Sequence, residues 1–233
     1  MRMQNPNLEI LELAVERLGA LADQMVFLGG CATGLLITDS AAPPIRVTRD
    51  VDSIVQVASL VEYHQLSEKL RERGFNEDTS EDAPLCRWTT DSVILDVMPT
   101  DSAILGFGNR WYAPAVEHSV RIKLPSGNMI RMVTAPYFLI TKLEAFDGRG
   151  KDDYLMSHDI EDIVAVLDGR YELADEVHAS EPELAQELAD RFKQLLQQSR
   201  FVDAVSGHMP SDAASQERVA LVLNNIRKIA GIQ

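Results

Sequence analysis

Three aspartates in this chain fall where their carboxylates could act together. Asp50-Val51-Asp52 opens a β-branched, alternating stretch, Val51 to Val57, that predicts a strand. Alternate strand residues share a face, so both carboxylates point one way, a few ångströms apart. Like charges that close raise each other's pKa unless a cation lies between them. Oxygen ligands at this spacing suit magnesium, which takes carboxylates together with waters and substrate phosphates. A solvated strand end with two surface aspartates would carry the same residues. Asp96 interrupts the otherwise apolar strand Val93-Ile94-Leu95-Asp96-Val97-Met98. A carboxylate there is costly without a partner or a metal. Its alternative is an aspartate capping a strand end, with Pro99 close behind.

Gly29-Gly30 follows the short apolar run Met25 to Leu28 and precedes a short helical stretch, Ala32 to Ile37. Glycine lets a backbone approach a phosphate, and a helix start offers unpaired N–H groups to an anion. An ordinary tight turn uses the same residues. Gly29 to Gly34 has the outer glycines of a P-loop, but Leu35-Leu36 stand where Lys and Ser or Thr belong. His64, His118, His158, His178 and His208 show no zinc spacing. Trp88 and Trp111 could stack a base or pack in a core.

The elements that must position these residues form a mixed α/β (α+β) pattern. Leu8 to Ala22 carries an amphipathic stripe after Pro6-Asn7, a helix start. Leu60 to Arg73 reads as a helix stopped by Gly74. Strands are expected at Met25 to Leu28, Val51 to Val57, Cys86 to Thr89 and Val93 to Met98. Ser119 to Lys123 and Met129 to Val133 bracket Pro125-Ser126-Gly127-Asn128 as a hairpin. Thr38 to Arg46 reads as a plain loop. From Thr134-Ala135-Pro136 onward the pattern is helical: Tyr137 to Phe146, Ser157 to Leu167, Pro182 to Gln198 and Ala213 to Ile229. The expected organisation is a mixed-sheet core at 1–133 and a helical domain at 134–233.

Lys and Arg number 22 against 36 Asp and Glu, a formal net charge of −14. That argues against coating nucleic acid through a general basic face, though not against gripping one end locally. No apolar run approaches the ~20 residues of a membrane span. Two cysteines, Cys31 and Cys86, are too few for a disulfide framework, and MRMQNPNLEI lacks the order of a secretory signal. A cytoplasmic setting without membrane contact is expected.

The order strand, Gly-Gly, helix, Asp-x-Asp strand, lone-Asp strand resembles the polymerase-β-like nucleotidyltransferase superfamily. Within it, Gly29-Gly30-Cys31-Ala32-Thr33-Gly34-Leu35 and Arg46-Val47-Thr48-Arg49-Asp50-Val51-Asp52 resemble the AbiEii/AbiGii toxin family. Lys142 stands in the place of that family's helix lysine. Asp159-Ile160-Glu161-Asp162-Ile163 is similar to its Asp-x-x-Asp segment, with Arg149 between the two. Glu144 and His158 depart from the pattern. The likeness spans Met25 to Leu167.

This resemblance implies a nucleotidyltransferase fold and transfer of a nucleoside monophosphate from an NTP to an acceptor hydroxyl. Asp50, Asp52 and Asp96 would hold two Mg²⁺ ions, one organising the triphosphate and the other activating the acceptor hydroxyl; Asp96 could also accept its proton. Gly29, Gly30, Thr33, Arg49, Lys142 and Asp159 would bind nucleotide, with Lys142 offsetting phosphate charge and Asp159 orienting it; a plain helix-surface pair of Lys142 and Asp159 is the alternative. Arg46 and Arg49 could reach phosphate or screen the aspartates. The implied acceptor is RNA, the tRNA 3′ end, in a toxin–antitoxin setting with an antitoxin protein as partner. A small-molecule transferase of the aminoglycoside-modifying kind, or a nucleotide-binding module without catalysis, are the alternatives.

Overall fold

Four consecutive apolar residues, Met25–Leu28, have no polar face to offer water and form β1, buried along its whole length. In the computed structural model, which describes residues 5–150 and 152–232, β1 lies inside a seven-stranded sheet. The other strands are β2 (Asp50–Val55), β3 (Asn76–Glu77), β4 (Arg87–Thr89), β5 (Ile94–Pro99), β6 (Val120–Lys123) and β7 (Met129–Met132). Their order is β3-β4-β5-β2-β1-β7-β6. β2 runs antiparallel to β1 and parallel to β5, and β7 runs parallel to β1. β4 and β6 attach antiparallel to β5 and β7. The sheet is therefore mixed, as the sequence implies.

Parallel neighbours need a long crossover. Between β2 and β5 it includes the helix α3 (Leu60–Glu72), whose N-cap Ser59 accepts from the Glu62 N–H while Glu62 accepts from the Ala58 N–H. The first helix is shorter than its apolar stripe implies: α1 covers Leu8–Leu18, and Gly19–Gln24 tightens into a 3₁₀ turn. Gly19 sits at φ 55°, and a Cβ there would fall 2.5 Å from Arg73 Nη1, so the chain turns where only glycine fits. The sheet unit also holds two elements the sequence does not signal. The two exposed residues of β3 carry no apolar signal, and α4 (Tyr112–Glu117) is a short helix after Trp111.

Chain contacts divide the protein into two compact units. The sheet unit comprises residues 6–34 and 47–134. The helical unit comprises residues 135–232 together with 35–46, the stretch that reads as a plain loop. The short α2 (Thr33–Leu36) follows the Gly29-Gly30 turn.

In the helical unit, α5 (Ala135–Arg149) is buried at every residue from Ala135 to Leu143 and packs against α6 (His158–Gly169), α7 (Leu173–His178) and α8 (Pro182–Leu196). The stretch expected as one helix from Ala213 to Ile229 is two, α10 (Ala213–Glu217) and α11 (Val219–Ile229), after the unforeseen α9 (Ser199–Gly207). The break falls at Arg218, whose guanidinium bonds Asp168 at 2.8 Å and Asp39 at 2.7 Å. Asp39 also accepts from the Tyr171 hydroxyl, and the Thr38 and Asp39 N–H groups donate to the Gly169 carbonyl. Segment 35–46 is thus bonded into the helices. No helix among the described residues is long and apolar enough to cross a membrane.

Candidate metal centre

Strand periodicity puts Asp50 and Asp52 on one face of β2, and strand register brings in the third carboxylate. In the β2–β5 ladder Asp52 lies opposite Asp96, and opposite residues of adjacent strands share a face. One carboxylate oxygen from each of Asp50, Asp52 and Asp96 lies within 4.8 Å of the others. Asp96 is only 6% exposed, while Asp50 and Asp52 are half-buried. The alternatives of surface aspartates on β2 and a loop-capping Asp96 do not describe this grouping.

A residue that sequence reasoning passed over sits among the three. Arg87 on β4 pairs in register with Asp96. Its Nε donates to Asp96 Oδ1 at 2.8 Å and its Nη2 to Asp96 Oδ2 at 2.7 Å. Nη2 also reaches Asp50 Oδ2 at 3.2 Å. The Asp96 hydrogen bonds raise the guanidinium's pKa, although its partial burial works the other way. Burial pushes the neighbouring Cys86 thiol up to about 12, and the charges of Asp96 and Asp52 add to that, so this cysteine is no ready nucleophile.

Gly29 shows why a glycine stands beside the aspartates. Its φ is 73°, and a Cβ built on it would lie 1.9 Å from Asp52 Oδ2. The carboxylate fills the space a side chain would need, so glycine here makes room for Asp52 as well as for the turn. The turn is closed by the Ala32 N–H and the Thr33 hydroxyl, both bonded to the Gly29 carbonyl. Thr33 is buried in that role, and Gly30 is buried beside it, while Arg49 is exposed.

Asn7, a helix-start signal in the sequence, makes no side-chain cap bond. Instead its Nδ2 donates to the Gly30 carbonyl at 3.1 Å and its Oδ1 accepts from the Thr48 N–H at 3.0 Å. Thr48 Oγ1 then donates to Asp50 Oδ1 at 2.6 Å. One buried amide thereby ties the Gly-Gly turn to the strand that carries Asp50. Nothing in the local sequence around Asn7 signals this, because both partners are distant in the chain.

Lys142, Asp159 and Arg149 occupy the helical unit with Arg46 and Asp162. Lys142 Nζ lies 3.1 Å from Asp159 and 2.7 Å from Asp162. Arg149 forks onto Asp159 at 2.9 and 2.7 Å, and Arg46 onto Asp162 at 2.9 and 2.8 Å. Lys142, Asp159 and Asp162 are all buried, so the lysine–aspartate contact is an interior ion pair rather than a helix-surface one. Burial works to raise the Asp159 pKa, and the bonds and charges of Arg149 and Lys142 outweigh it, so the carboxyl titrates below its ordinary value.

Trp88 is in the core with Arg71 over its ring, and Trp111 is likewise buried. Both cysteines are buried and outside any disulfide.

No family model matches this chain, and no curated protein matches it. Among solved structures it is similar to an antigenic nucleotidyltransferase-like protein from Paracoccidioides brasiliensis. The two share 19% identity over 88% of this chain and 94% of that chain, with a TM-score of 0.49.

Proposed function

We propose that the chain is a divalent-metal-dependent nucleotidyltransferase, moving a nucleoside monophosphate from an NTP to an acceptor hydroxyl. The observation that carries this reading is the convergence of Asp50, Asp52 and Asp96 from adjacent strands to within 4.8 Å, beside a glycine turn shaped around one of them. The donor set fits magnesium: all three ligands are hard oxygens, and one lies in an apolar strand where a carboxylate needs a cation. Mg²⁺ held by these residues would stabilise charge on the transferring phosphoryl group and lower the pKa of the attacking hydroxyl.

The chain's own part is to hold the ligands still. Thr48 fixes Asp50, the β2–β5 register fixes Asp96 against Asp52, and Asn7 fixes the turn. The family resemblance of the Gly29 to Leu35 and Arg46 to Asp52 motifs supports Gly29, Gly30, Thr33 and Arg49 as nucleotide-facing residues. It supports the same role for Lys142, with Asp159 orienting it, and the Lys142–Asp159 pair is of the kind such orientation requires. It also supports an RNA acceptor, the tRNA 3′ end, and an antitoxin partner. A second reading, a small-molecule acceptor, is favoured by the formal charge of −14, which opposes polyanion binding.

Purified protein and its Asp50→Ala variant, incubated with Mg²⁺, each α-labelled NTP and total tRNA, test this. Label in the tRNA with wild type alone is expected. Transfer by both proteins would sink the metal-centre reading. Transfer by wild type only to small hydroxylated acceptors would replace RNA with the second reading.

A further inference from the structure

Arg87 is a cation bonded directly to two of the candidate metal ligands. It takes both oxygens of Asp96 and one of Asp50, and so bridges β5 and β2 with a single planar fork. Those are carboxylate atoms that a metal at this site would draw on. A guanidinium and a divalent cation cannot both hold them at short range without strong repulsion, because like charges a few ångströms apart are costly even in a well-screened interior. Arg87 is also placed to move. Its side chain is 23% exposed and sits on a three-residue strand toward one edge of the sheet. Its flexible methylene stem can swing the head group without disturbing the ladder.

The contrast with Arg46 is informative. Arg46 forks onto Asp162, a carboxylate 2% exposed that also binds Lys142. That pair is a brace inside the helical unit. Arg87 instead spans two carboxylates that belong to a three-carboxylate cluster, where one positive charge serves two partners. Asp96, nearly buried, needs a cation in every state of the site. Arg87 meets that need, and a bound metal would meet it equally.

Building on the metal-centre reading above, we propose that Arg87 is the built-in counterion of the acidic triad, held at Asp96 and Asp50 until a divalent cation displaces its guanidinium. Arg87 is then a positioning residue. It pairs with Asp96 and ties the two strands together before loading, and it sets how tightly the site takes metal. Displacement also turns its head group out beside the filled site, where it is available to a substrate's phosphates.

The test is metal binding by the full-length protein, with no turnover needed. Mn²⁺ affinity is measured by electron paramagnetic resonance for wild type, Arg87→Met, Arg87→Lys and Asp50→Asn, with folding checked by circular dichroism. Arg87→Met, freed of the competing charge, should bind Mn²⁺ at least about tenfold more tightly than wild type. Arg87→Lys, which keeps the charge and loses the fork, should fall between them and covers the case in which the Met variant fails to fold. In parallel, the ¹⁵N-labelled Arg87 Nε–H signal of wild type should be slow to exchange in EDTA and lose that protection as Mg²⁺ is added. A merely structural ion pair would leave both readouts unmoved. Equal or weaker Mn²⁺ affinity in the folded Arg87 variants, with binding still lost in Asp50→Asn, overturns the counterion role and leaves the metal centre standing. No Mn²⁺ binding by any of the proteins overturns both.

Discussion

Around Asp96, two carboxylates share one guanidinium; around Lys142, each of two carboxylates binds two cations. The same side-chain chemistry serves two ends. In the sheet unit, the two-residue period of β2 and its register with β5 gather like charges, which is costly unless something positive arrives. In the helical unit, Asp159 and Asp162 are three apart on α6, and Lys142 and Arg149 are seven apart on α5. Each pair therefore lies along one helix face and the charges interleave. One arrangement gathers carboxylates where a cation could be held, and the other interleaves its charges. The difference marks the first as the candidate place for chemistry and the second as a buried brace.

Substitutions that treat the two regions alike should separate them. The largest contrast is between Asp50→Asn and Asp162→Asn. The first, at a half-exposed site, should lower nucleotidyl transfer by about a thousandfold or more while moving the urea midpoint little. The second removes the buried carboxylate that Lys142 and Arg46 share and should cost about 3–5 kcal/mol in urea unfolding. If Asp50→Asn destabilised the protein as much as Asp162→Asn, the distinction would collapse.

Gly29→Ala should come next. A side chain at φ 73° costs about 1–2 kcal/mol, and the methyl must also displace the Asp52 carboxylate. Both stability and Mn²⁺ binding should fall, where a plain turn glycine would affect stability alone. Asn7→Ala removes two buried hydrogen bonds and should cost about 1–3 kcal/mol in stability. It should also reduce transfer, because Asn7 steadies both the turn and the Asp50 strand.

Acid should weaken the brace. The Asp159 carboxyl is held below its ordinary value when folded, so the unfolded chain binds more protons there. Its stabilising contribution is full above the unfolded value of about 3.9 and is lost as pH falls through the folded one. Urea midpoints should therefore drop below about pH 4, and less steeply in Asp159→Asn. The smallest effect belongs to Arg149→Ala. Its side chain is 70% exposed, and solvent screening should hold the cost to about 1 kcal/mol or less.

The parts that rest on short-range geometry are legible in the amino-acid order alone. Alternation made β2 and put Asp50 and Asp52 on one side. An apolar run made β5 and singled out Asp96 as a carboxylate in want of a partner. The change of character near Thr134 separated strands from helices. Each of these follows from periodicity or desolvation, which act within a few residues. What only the tertiary structure decided is who meets whom. Arg87 reaches the aspartates through the register of β4 with β5. Asn7 joins residues 23 and 41 positions away. Gly29 is shaped by Asp52 through the β1–β2 pairing, and residues 35–46 join the helices through Asp39 and Arg46. No local pattern encodes such pairings, because strand register and ion-pair choice are settled by the packing of the whole chain rather than by the spacing of neighbours.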